Sequence, residues 1–208
     1  TSVKPQGIVP GAFSQESSRE LTMIHPQSPL LVTVFGGARV GSDSQLYADS
    51  LELGRRLAEA GFVVATGGYT GTMEAVLRGA REAGAHTVGY TCATFERDFQ
   101  PNPWVVEERK TPVLSARIQR LAEESDAFVV VHGGLGTLAE LALVWNMLLA
   151  GELPAKPLVV VGREWPRVID VVHAETQMGS SALRLLTLVE TAEGAVERLS
   201  ELLLASLP

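Results

Sequence analysis

Three short glycine-rich turns carry the residue types best suited to chemistry in this 208-residue chain: Gly36-Gly37-Ala38-Arg39, Gly67-Gly68-Tyr69-Thr70-Gly71 and Gly133-Gly134-Leu135-Gly136-Thr137. Each follows an apolar run and leads into a stretch of helical periodicity. In that setting backbone N–H groups and the positive end of a helix dipole point the same way, and glycine lets the chain approach an anion closely. One such turn serves as an ordinary tight turn as readily as a ligand loop. Three on one edge of a sheet predict a crevice that holds a nucleotide phosphate. The dinucleotide spacing Gly-x-Gly-x-x-Gly is absent after the first apolar run, and so is the Walker lysine, which disfavours a dehydrogenase or a kinase.

The elements that position these turns follow from alternation. Leu30–Phe35, Phe62–Ala65, His86–Tyr90, Asp126–Val131 and Leu158–Val161 are short apolar runs of the kind buried on both faces of a parallel sheet. Leu186–Val189 adds a sixth strand. Between them lie helical patterns: one capped by Ser42 or Asp43 and ended by Gly61, then about Gly71 to Ala83, Pro112 to Glu123, the stretch after Thr137 to about Ala150, Trp165 to Met178 and Ala192 to Ala205. Strands separated by helices imply parallel pairing with right-handed crossovers. The fold class is therefore a Rossmann-like, doubly wound α/β sheet in a single domain over residues 30–208. Ligands of such sheets sit at the C-terminal strand ends. Residues 1–29, rich in Pro, Gly, Ser and Gln, read as an N-terminal arm, partly disordered or with one short helix around Phe13 to Met23. Residues 91–112, with Pro101, Pro103 and Pro112, read as a long irregular loop, either a lid or a surface insertion. Phe99 and Trp104 read as packing within it.

Composition narrows the partners. A formal net charge of −7, with no basic stripe, disfavours a nucleic-acid polymer. The single cysteine, Cys92, allows no internal disulfide, which fits a reducing, cytoplasmic setting. No metal is expected, because the four histidines, His25, His86, His132 and His173, stand far apart and show no zinc-site spacing. No apolar run approaches the roughly 20 residues of a membrane span, and no signal peptide is apparent. Leu138 to Leu149 is apolar nearly all round, which predicts a homodimer or larger homo-oligomer meeting through that helix.

The third turn is the most specific. His132-Gly-Gly-Leu-Gly-Thr-Leu-Ala-Glu140 resembles the Pro-Gly-Gly-x-Gly-Thr-x-x-Glu signature of the LOG (Lonely Guy) family, the cytokinin riboside 5′-monophosphate phosphoribohydrolases. Thr66-Gly-Gly-Tyr-Thr-Gly-Thr-Met-Glu-Ala75 resembles that family's second signature, and Phe35-Gly-Gly-Ala-Arg39 its first phosphate-side loop. The likeness runs over roughly residues 31–165. It implies a catalytic pair, Arg117 at fifteen residues before the signature's first position and Glu140 at its close. Arg109-Lys110 looks like the family's Arg-Lys but lies too far upstream. The implied substrate-side residues are Gly36, Gly37, Arg39, Gly67, Gly68, Gly71, Met73, Glu74, Gly133, Gly134, Gly136 and Thr137. The chain departs from the pattern at His132 for the proline, Ile118 for the lysine after the arginine, and Ala139 for the first of a glutamate pair.

The residue types suit the implied reaction. Cleaving an N-glycosidic bond builds positive charge on the ribose, and a carboxylate such as Glu140 can stabilise it and activate water. Arg117 stays cationic without tuning and can hold phosphate or the leaving base. Thr137 can donate to phosphate, and Glu74 can hold ribose hydroxyls. Blander readings stand beside these: Glu140 as a helix-start or capping-box charge, Arg117 as a surface residue, Glu74 as a first-turn charge, Met73 as core, His132 as a strand-end side chain. The expected function is hydrolysis of a cytokinin or adenosine 5′-monophosphate to free base and ribose 5-phosphate, with no cofactor. The alternative is a non-catalytic nucleotide or molybdenum-cofactor carrier on the same fold. Pyridoxal-dependent lysine decarboxylation is disfavoured, since Lys4, Lys110 and Lys156 lie in an arm and in Pro-containing turns.

Overall fold

A computed structural model of the chain describes residues 29–205. The expectations for the N-terminal arm, including the Phe13 to Met23 helix, lie almost wholly outside the described residues. Among the described residues seven strands, β1 (Leu31–Phe35), β2 (Val63–Thr66), β3 (Thr87–Cys92), β4 (Glu107–Thr111), β5 (Ala127–Val130), β6 (Leu158–Val161) and β7 (Leu186–Val189), pair in parallel throughout. They form one sheet in the order β4-β3-β2-β1-β5-β6-β7. The helices are α1 (Gln45–Glu59), α2 (Thr72–Glu82), α3 (Leu114–Glu124), α4 (Leu135–Ala150), α5 (Trp165–Glu175), α6 (Ser180–Leu183) and α7 (Ala192–Ala205).

The sheet is buried on both faces because its strands alternate two apolar sets. Val32 and Val34 of β1 join Leu53, Leu57, Val76, Leu77 and Leu199 on the α1, α2 and α7 side. Leu31 and Phe35 join Leu121, Leu141, Val144, Trp145 and Ile169 on the other. The indole N–H of Trp145 donates to the Ala182 carbonyl at 2.8 Å and ties α4 to α6. The chain winds outward from β1 to β4, then crosses to β5 and winds the other way. The switch point between β1 and β5 is where such sheets open a crevice.

The structure corrects three boundaries. The 91–112 segment is not one irregular loop, for it contains a 3₁₀ turn at Ala93–Phe95 and the edge strand β4. An edge strand needs no two-sided apolar burial, so its sequence, EERKT, carries charges instead. Helix α1 is capped by Ser44, whose hydroxyl accepts from the Tyr47 N–H at 3.2 Å, rather than by Ser42 or Asp43. The Trp165 to Met178 helix ends at Glu175.

Candidate functional site

The three glycine turns meet at the C-terminal rim of the sheet. The Gly37 N–H donates to the His132 carbonyl at 3.3 Å, joining the first turn to the third. The Thr72 N–H and hydroxyl both donate to the Gly37 carbonyl, at 2.9 and 3.1 Å, joining the second to the first. Gly71 permits that junction. Its φ of +71° suits glycine, and a Cβ there would lie 2.3 Å from the Gly37 oxygen. Between the first and third turns an open cleft of about 510 Å³ is lined by Gly37, Arg39, Val40, His132 and the Gly133–Gly136 backbone. Helix α4 begins at this cleft with Gly134 as its N-cap and no side chain satisfying its first N–H groups. A Cβ on Gly134 or Gly136 would meet nothing within 4 Å, so these two glycines face open space. Thr137 is buried beneath Gly133, where a Cβ would lie 2.1 Å from the Thr137 hydroxyl.

Next to the cleft lies a buried ion pair. Arg117, in the first turn of α3, donates from Nη2 to Glu140 Oε1 at 2.8 Å, with the two side chains 7% and 9% exposed. The reading of Arg117 as a surface residue fails on this geometry. Glu140 is not a capping-box residue either, because α4 starts at Leu135 and places it in the second turn. Gly67 makes room for the pair. A Cβ there would lie 2.7 Å from Met73 Sδ and 2.9 Å from Arg117 Nη1. The guanidinium carbon lies 5.6 Å from the Phe95 ring centroid and 6.0 Å from that of Tyr69. The Arg117 Nε–H is buried and has no acceptor among the described residues. Burial pushes the Glu140 carboxyl up to about 7, against the pull of the adjacent guanidinium.

The other expected residues fall as follows. Gly36 and Gly68 lie within the knitted turns. Met73 is buried against Gly67, and Glu74 is a half-buried charge in the first turn of α2. Arg39 is exposed at the cleft. His132 is exposed at its lip, with Nδ1 2.8 Å from Glu164 Oε1. Ile118 is buried and Ala139 exposed. Beyond His132 a hollow of about 550 Å³ is lined by charges that largely satisfy one another, such as Arg56 with Glu193 and Arg163 with Glu190. Trp104 lies away from the pair, packed on the α1/α2 side beneath Arg78.

Sequence reasoning gave no role to Tyr69, Phe95 or Asn102. The Tyr69 hydroxyl donates to the Cys92 carbonyl at 3.2 Å and accepts from its N–H at 2.8 Å. Asn102 Nδ2 donates to the Tyr69 carbonyl at 2.7 Å, and the Asn102 N–H donates to the Gly68 carbonyl at 2.9 Å. These bonds strap the 93–106 segment onto the second turn. The available signals were an aromatic residue inside a glycine turn and an asparagine between two prolines.

The family model described as the SLOG cluster4 family matches residues 29–185. The chain belongs to this family. It is 30% identical to the cytokinin riboside 5′-monophosphate phosphoribohydrolase LOG of Oryza sativa subsp. japonica, over 82% of this chain and 72% of that protein. It is 28% identical to LOG3 of Arabidopsis thaliana, a protein of the same activity by name, over 82% of this chain and 81% of that one. The resemblance to the LOG family seen in the sequence is thus borne out. Among solved structures, the molybdenum cofactor carrier protein of Chlamydomonas reinhardtii superposes with a TM-score of 0.65 at 27% identity, covering 86% of this chain and 100% of that one.

Proposed function

We propose that the chain hydrolyses the N-glycosidic bond of a purine nucleoside 5′-monophosphate, releasing the free base and ribose 5-phosphate. The observation that carries this reading is the buried Arg117–Glu140 pair beside a glycine-lined cleft at the switch point. The 5′-phosphate lies against the uncapped N–H groups at the start of α4, near Arg39. The C1′–N bond breaks with its electron pair leaving on the base, and positive charge grows on the ribose. Glu140, as carboxylate, stabilises that charge and takes a proton from the water whose oxygen bonds to C1′. The proton returns to the departing base or to solvent. Arg117, with its unpartnered Nε–H, offers a donor to phosphate or base. The names of the rice and Arabidopsis relatives support this reading.

The carrier reading has its own support in the superposition on the Chlamydomonas molybdenum cofactor carrier. Chromatographic assay of base release from AMP separates the two, and calorimetry with AMP against adenosine tests the phosphate requirement. Base release together with much tighter binding of AMP is expected. No release from any purine monophosphate would favour the carrier.

We also propose a homo-oligomer of at least two copies. Leu135, Leu138, Leu143 and Leu149 of α4 remain exposed, and an apolar groove of about 440 Å³ runs between α4 and α5. A dimeric mass by light scattering at micromolar concentration is expected, and a monomeric mass would remove this part of the reading.

A further inference from the structure

The rim of the sheet is ordered. The phosphate cleft lies over the ends of β1 and β5, and the Arg117 guanidinium over Gly67 at the end of β2. Tyr69 follows, packed edge-on with Phe95 and tilted against Phe99 at centroid distances of 5.9 and 5.8 Å. On the far side of this aromatic group lies a hollow of about 280 Å³ over β3 and β4, which Tyr69 and Phe99 also line. Its remaining walls are polar: Thr91, Glu96, Gln100, Glu108 and Lys110, with Pro101 closing one side. Glu96 pairs with Lys110, and the Thr91 hydroxyl donates to Glu108. Strands stand about 4.8 Å apart, so the middle of the phosphate cleft and the middle of this hollow are three spacings, roughly 14 Å, apart.

A mononucleotide laid along this rim has its phosphate at β1/β5 and its glycosidic bond at the Arg117–Glu140 pair. Its base then runs over the aromatic group toward β4. We propose that the Glu96/Glu108/Lys110 hollow receives the far edge of the base, and that the site selects purine 5′-monophosphates with bare polar exocyclic groups over those carrying an apolar N6 substituent. This rests on the phosphoribohydrolase reading. The chemistry is that of the walls. Carboxylates accept from an exocyclic amine, and an ammonium donates to a ring nitrogen or carbonyl. A five-carbon isoprenoid chain there would meet charged groups and gain little from burial.

The test compares AMP, GMP and N6-isopentenyl-AMP on the full chain, by base-release kinetics and by calorimetry. At least a tenfold preference for AMP over isopentenyl-AMP is expected in kcat/KM and in affinity. Glu108 is exposed on an edge strand, so Glu108→Leu is tolerated by the fold, as a thermal melt will verify. This variant should shrink the preference at least threefold, and Glu108→Gln should largely keep it. Equal or tighter binding of isopentenyl-AMP overturns the proposal, as does a ratio unmoved by Glu108→Leu or failure of all three nucleotides to bind. A binding preference for AMP without base release from any of them keeps the base-end site and removes the hydrolase reading instead.

Discussion

Two arginines eight positions apart show how differently one side chain can be used. Arg109 on β4 has three acceptors around it. It donates to Glu107 and Glu124 at 2.6 Å each and to the Tyr90 hydroxyl at 2.7 Å, while its side chain stays 25% exposed. Arg117 on α3 is almost wholly buried, has one carboxylate partner, and keeps its Nε–H without an acceptor. A well-partnered, solvated cluster holds an edge strand to its neighbour. A dry, under-satisfied pair beside an open cleft stores donor capacity that a ligand can use, at a desolvation cost that the fold alone gives no reason to accept. The contrast teaches that satisfaction, more than charge or motif likeness, distinguishes the two.

The largest effect that sharpens the contrast is catalytic. Glu140→Gln should keep the fold and much of the AMP affinity, since an amide oxygen can still accept from Arg117. Turnover should fall by roughly 10²–10⁴-fold, the range typical of removing an acid or base. Base-release rates measured beside thermal melts check this, and full activity in the variant would end the catalytic assignment.

Next in size is the stability of the pair. Removing one partner of a buried ion pair costs about 3–5 kcal/mol, because the other charge is left unpaired. Arg117→Met should approach the lower end of that range at pH 8. The loss should be smaller at pH 5. Without the guanidinium, nothing opposes the burial that raises the Glu140 carboxyl, so the variant folds with that group protonated and neutral at low pH. Its stability then declines as pH rises from the unfolded value near 4.5 through the raised folded value. Urea unfolding at the two pH values measures the difference, and an equal loss at both would show that the pair is solvated.

The unmodified protein carries the same signature in its rate. Burial raises Glu140 to about 7. As a group that must be ionised to act, it should give a rate that climbs through pH 7 and falls about tenfold per unit well below it. A profile flat between pH 5 and 8 would assign the work to another group.

Much of this was legible beforehand, and the reason lies in pattern. The apolar runs of β1, β2, β3, β5 and β6 could hardly be anything but strands buried on both faces, and the glycine turns followed from them. Strand β4 was not legible, because its partners are lateral ion pairs rather than a core. Arg117 was reached through family spacing, although a physical signal existed. It shares the buried side of α3 with Ile118, Leu121 and Ala122. Glu140 likewise lies among Thr137, Leu141, Val144 and Trp145 at helical spacing. A charge on the apolar stripe of each of two helices predicts a buried pair. What pattern could not supply was the strap across Tyr69, since Asn102 and Phe95 reach it through loop geometry with no periodicity.

The smallest expected effect falls on the well-partnered arginine, and its smallness is the point. Glu124 accepts from Arg109, Arg120 and Tyr90, and three donors hold its carboxyl below the usual carboxylate range against the burial that would raise it. Glu124→Gln removes a charge from a cluster that stays partly in water and keeps Glu107 as a second acidic partner for Arg109. Exposed pairs of this kind are worth about 0–1 kcal/mol. The variant should therefore melt within a few degrees of the parent. Any loss should be present near neutral pH and shrink as pH falls, since a carboxylate held low contributes stability above its unfolded pKa and gives it up on protonation. Base release should not change, because Glu124 touches neither the cleft nor the Arg117–Glu140 pair. A loss of turnover in Glu124→Gln at unchanged stability would erase the distinction between the two arginines and place the β4 cluster within the working site.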